Sequence, residues 1–160
     1  MTEHWLAPAA VVPQEAAWLG EVDDQPWTAG RGFYRGFSSS FEIGEKDVWF
    51  HWPFQLAAGS RVTGFQLLWE TEGDTRIGWG VCHHGGAERV PLTERLAPVV
   101  GEPVPFDPPE LWRQYYPPMQ RMLTGFDLPV PLETRFGMQL CIMATGVGTM
   151  RFYGAAVVTG

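Results

Sequence analysis

A chain of 160 residues, 45% hydrophobic and 18% charged, is long enough for one globular domain whose core needs no disulfide staples. Its net charge of −7 and its singly scattered cations exclude the clustered positive surface that nucleic acid or an anionic membrane requires. Glycine and proline, 19 and 14 residues, favour turns over long helices, and eight tryptophans are an unusually heavy aromatic load.

Residues 1–28 read as an N-terminal arm of a single domain spanning 1–160. Within it "PQEAAWLGE" (Pro13 to Glu21) is a short helix candidate with proline in its first turn. No basic region followed by an apolar run opens the chain, so neither a signal peptide nor a membrane span is expected, and a cytoplasmic location follows. Lys46 is the one lysine among eleven cations, a bias that points to a high-GC bacterial source.

From Gly30 the period becomes two. "GRGFYRGFSSSFEIG" is a glycine-rich strand candidate. "DVWFHWPFQL" places Val48, Phe50, Trp52 and Phe54 on one face and Trp49 and His51 on the other, with Pro53 expected at an edge or a strand end. "RVTGFQLLWET" turns Phe65, Leu67 and Trp69 inward, with Gln66 and Glu70 opposite. "EGDT", Glu72 to Thr75, reads as a hairpin turn into "RIGWGVCHH". There Ile77, Trp79, Val81 and His83 share a face, and Gly78, Gly80, Cys82 and His84 share the other. Gly85-Gly86 then turns into "AERVPLTERL", a further strand candidate.

Residues 98–121 hold seven prolines, more than a paired strand is expected to tolerate. Asp107 as N-cap and Glu110 three residues on predict a one-to-two-turn helix over "DPPELWRQYY". The segment reads as a proline-rich helical lid, with Trp112, Tyr115 and Tyr116 on one face. "TRFGMQLCIMATG" and "GTMRFYGAAVVTG" are the last two strands, joined by a glycine turn. Seven or eight strands with one helical insert predict an all-β antiparallel sandwich of jelly-roll type.

"WFHWP" (Trp49 to Pro53), the glycine-tipped turn at Gly85-Gly86, "FGMQLCIM" and the closing "MRFYGAAVV" together resemble a group of small bacterial β-sandwich proteins. Those proteins carry a Trp-Phe-His-x-Pro strand and end on an alternating strand with a Gly-Ala element. The resemblance covers roughly residues 30–86 and 134–158. The chain departs from it with His84-Gly85-Gly86 in place of an Asp-Gly turn, and with the proline-rich insert. What it implies is the fold; it brings no activity.

Candidate chemistry centres on the histidines. His51 sits among aromatic residues, where desolvation holds an imidazole neutral and able to act as a base. His83 and His84 are adjacent, so a regular strand points them to opposite faces. Cys82 and His84, two residues apart, are the better local pair for a metal. No His-x-His, Cys-x-x-Cys or His-Glu-x-x-His is present, and no metal site or cofactor is assigned. Glu70 and Glu72 share a strand face and could divide acid and base roles. Cys82 and Cys141 are expected as buried free thiols, and covalent catalysis is not expected.

The reading that follows is a small cofactor-independent enzyme of cyclase, isomerase or lyase type, acting on an apolar metabolite in bacterial specialised metabolism. Its expected catalytic groups are His51, His83, His84 and Glu70. Its expected substrate contacts are Trp52, Trp79, Trp112, Tyr115, Tyr116 and Arg113. Two alternatives compete: a non-catalytic module binding a ligand or carbohydrate, and an interaction module docking through the aromatic insert, including as a homodimer.

Overall fold

The computed structural model describes residues 1–14, 38–107, 109–113 and 119–160. They form strands β1 (Thr2–Leu6), β2 (Val12–Pro13), β3 (Ser39–Ile43), β4 (Val48–Phe54), β5 (Arg61–Gly73) and β6 (Arg76–His84). The chain continues through β7 (Glu88–Pro91), β8 (Glu102–Phe106), β9 (Met119–Glu133), β10 (Met138–Thr145) and β11 (Gly148–Thr159). Sheet A runs β1-β11-β5-β9-β8, with β3 beside β1 along the same edge of β11; sheet B runs β2-β4-β10-β6-β7. Every pairing is antiparallel. Most connections cross between the sheets, which is jelly-roll-like winding.

The period-two patterns set the core. Phe65 and Leu67 of β5 and Phe152 of β11 face Phe50, Trp52 and Phe54 of β4, and all are buried. The Phe50 and Phe152 rings lie 5.0 Å apart, and Trp52 meets Phe152 edge-on at 5.6 Å. Aromatic rings thus pack against one another between the two sheets.

Four expectations are corrected. The Glu72–Thr75 corner is no hairpin: β5 belongs to sheet A and β6 to sheet B, so it is an arch across the sandwich. It is stitched to the neighbouring β10–β11 arch, where the Asp74 amide donates to the Val147 carbonyl (2.9 Å) and the Thr75 hydroxyl to the Gly146 carbonyl (3.0 Å). In β6 the register against β10 shifts by one beside Gly78, so Ile77 and Cys82 both face the core while Trp79, Val81 and His83 face out. The described part of the N-terminal arm, residues 1–14, is woven into both sheets through β1 and β2.

The helical lid is the fourth correction. Among the described residues of the insert, β8 is a strand and Glu110–Trp112 is a single 3₁₀ turn. Pro103 and Pro105 are tolerated because β8 pairs only with β9, and alternate prolines aim their missing N–H groups at the open edge. Prolines on both sides leave room for about two helical turns at most, too few to stand alone. Asp107 does not cap the turn; it accepts a bond from Arg113 at 3.0 Å. The candidate helix beyond Gln14, the strand start at Gly30, Tyr115, Tyr116 and the Trp112 side chain lie outside the described residues.

Candidate functional site

Three of the four histidines gather on sheet B. Two cross-strand rows on its outer face carry two of them: His51, Cys141 and Val81, then Pro53, Gln139 and His83; His84 follows His83 at the end of β6. β2 lies against β4 with Val12 opposite His51, and the Gln14 amide bonds the Trp49 carbonyl (2.9 Å), which fixes Gln14 beside the ring. His51 Nε2 is 3.2 Å from the Gln14 carbonyl oxygen, and its Nδ1 is 3.2 Å from Cys141 Sγ. An amide oxygen only accepts, so Nε2 carries the proton and donates, and the bare Nδ1 accepts the thiol S–H.

Burial, aided by the neighbouring His83, lowers the His51 pKa below its usual 6.5. Burial pushes the Cys141 thiol up to about 11, against a smaller opposite pull from a Gln139 hydrogen bond. The pair is therefore neutral imidazole against neutral thiol, not an imidazolium–thiolate couple, and Cys141 is no nucleophile in this arrangement. Cys82, on the core side, is pushed up to about 12 by burial and by Cys141, and both cysteines are free.

A cleft of about 380 Å³ opens at the end of these rows. Buried Phe54 and Met138 line it together with Gln55, Gln139, His83 and His84. The adjacent histidines meet there because β6 ends at the cleft: Gly85 and Gly86, at φ 60° and 86°, turn the chain over it. His84 Nδ1 is 3.5 Å from Glu88 Oε2 across that turn, and its side chain is 13% exposed. Among the described residues no three His, Cys, Asp or Glu side chains group as a metal site.

The other expected site residues lie elsewhere. Trp52 is fully buried between the sheets and cannot touch a surface ligand; its Nε1 has no hydrogen-bond partner. Trp79 is on the outer face of sheet B but is covered by the Trp49 ring at 5.7 Å and by the Arg89 and Arg95 guanidinium groups at 5.6 and 5.5 Å. Arg113 is exposed and paired with Asp107. Glu70 is on sheet A, where it accepts from the Tyr153 hydroxyl (2.7 Å) and lies 3.8 Å from Arg151. Arg151 also binds Glu72 at 2.8 Å and holds that carboxyl below the usual carboxylate range. The two glutamates thus share a cation rather than a proton.

Sequence reasoning missed Gln14, Gln139 and the role of Cys141. Gln139 and Cys141 alternate with core residues Leu140 and Ile142, and that alternation could have placed them outward. Gln14 has no local signal, because only the β2–β4 pairing brings it to His51.

No protein-family model, curated protein or solved structure matches the chain. Among the described residues no helix is long and apolar enough to cross a membrane.

Proposed function

We propose that the protein is a cofactor-independent enzyme that binds a small, largely apolar metabolite with a polar group in the sheet B cleft and acts on it by histidine acid–base chemistry. One observation carries the reading: His83 and His84 line one cleft with two glutamine amides over an apolar pair, Phe54 and Met138. Exposed His83 is the proposed proton acceptor, and His84, oriented by Glu88, returns the proton. Gln55 and Gln139 would fix the polar group of the substrate. Neutral His51 steadies Gln139 through the shared Cys141 sulfur. Positioned acid–base groups of this kind supply about 10²–10⁴-fold in rate, enough for a cyclase, isomerase or lyase step in specialised metabolism.

Sugar stacking on Trp79 is the weaker reading, because rings and guanidinium groups already cover that indole. The test is incubation of the protein with a metabolite extract of its source cell, followed by mass spectrometry. The wild type should convert a component that the His83→Asn/His84→Asn double variant leaves intact. Equal depletion by both proteins would sink the proposal. Retention of a component without conversion would replace it with the non-catalytic binding module.

A further inference from the structure

The outer face of sheet A carries a second arrangement, far from the histidines. Arg121 of β9 lies opposite Val104 of β8, with its guanidinium 4.8 Å from the Phe106 ring centre and 5.5 Å from that of Tyr153. Its Nε donates a long hydrogen bond to the Val104 carbonyl at 3.4 Å. Among the described residues no carboxylate lies within ion-pair reach of it, although the chain carries 18 acidic residues. The nearby acids are engaged: Glu70 by Tyr153 and Arg151, Glu72 by Arg151. A guanidinium held between aromatic faces keeps its Nη edge fixed, and that edge matches the two oxygens of a carboxylate.

The same face continues into a shallow groove of about 450 Å³ lined by Gln66, Leu123, Gly125, Val100, Gly101 and Glu102. Leu123 is two residues from Arg121 and so shares its face, and Gly125 is two further on, opposite Gln66. A Cβ added at Gly125 would meet nothing within 4 Å, so the groove floor is open there. Strand rise puts Gly125 about 13 Å from Arg121, which leaves room for an apolar body of roughly 10 Å between them. At the far end Gln66 is tied by its amide to Glu3 (2.6 Å), and Glu102 lines the wall. With Glu70, Glu72 and Glu102 on this face, a single negative charge is accepted more readily than a double one.

We propose that this groove binds a small monocarboxylate with a flat or extended apolar body, its carboxylate on Arg121 and its body over Leu123 and Gly125. The experiment is an NMR titration of the ¹⁵N-labelled chain, arginine Nε–H signals included, with 2-naphthoate, 2-naphthamide and inorganic phosphate. Naphthoate should shift the Arg121 Nε–H signal and the Leu123 and Gly125 amides, at least tenfold more tightly than naphthamide. Arg121→Gln should abolish that preference. Gly125→Leu, which fills the groove without touching the arginine, should abolish binding of the naphthoate. Equal binding of naphthoate and naphthamide, or undiminished binding to Gly125→Leu, would overturn the proposal. So would phosphate binding Arg121 as tightly as naphthoate, which would make the arginine a site for free oxyanions.

Discussion

At the scale of single residues, burial decides chemistry. The Trp52 indole N–H is buried without a partner, and an orphan donor of this kind costs about 1–3 kcal/mol. Trp52→Phe removes the orphan along with part of the ring, so its two effects oppose. The variant should unfold in urea within about 1 kcal/mol of wild type, whereas Trp52→Ala should lose about 3–5 kcal/mol to the cavity. A large loss from Trp52→Phe would mean that the indole is bonded after all. The cysteines obey the same rule: burial raises both thiols, to about 12 for Cys82 and about 11 for Cys141. Native protein at pH 8 should therefore release no chromophore from Ellman's reagent, and two equivalents should appear on unfolding. Fast release from the native chain would show that a thiol is open to reagents and would overturn the burial of these cysteines.

At the scale of elements, the sequence revealed strands better than their partners. β4, β5, β10 and β11 follow from alternation because each has one face in the core. β9 was invisible: Gly125, Pro129 and Pro131 interrupt its pattern, and its register against β5 slips where those prolines fall. The corner at Gly73-Asp74 has hairpin composition, yet whether two strands lie side by side or face each other is a long-range matter. The site divides in the same way. His51's burial was legible from its aromatic neighbours, but its contact with Cys141, 90 residues away, exists only through the β4–β10 pairing. The arches give a further test. Gly146 has a left-handed φ of 81°, and a Cβ there would collide with the Asp74 carbonyl. Gly146→Ala should destabilise by about 2 kcal/mol or more in denaturant titration. Gly125→Ala, in open space at ordinary φ, should stay within about 1 kcal/mol of wild type. Similar losses from both would deny that the paired arches constrain the chain.

At the scale of the molecule, burial of single titratable groups gives the whole fold a pH signature. His51 has a folded pKa below its ordinary 6.5. Between that lowered value and 6.5 the unfolded chain takes up a proton that the folded one refuses. Stability is therefore complete above pH 6.5 and falls as the pH drops through this window. Glu72, held down by Arg151 below its ordinary 4.5, adds a separate loss in more acidic solution. The raised thiols add a loss on the alkaline side, above their ordinary value near 9, where only the unfolded chain gives up its protons. Calorimetric melting should show Tm falling from pH 7.5 to pH 5.5 in the wild type. In His51→Gln, which keeps a polar side chain but has no proton to take up there, the fall should be shallower, while the decline below pH 4.5 persists. Parallel profiles for the two proteins across pH 5.5–7.5 would mean that His51 takes its proton as readily folded as unfolded. It would then be free to protonate beside Cys141, and the neutral thiol–imidazole pair in the row next to Gln139 and His83 would have to be abandoned.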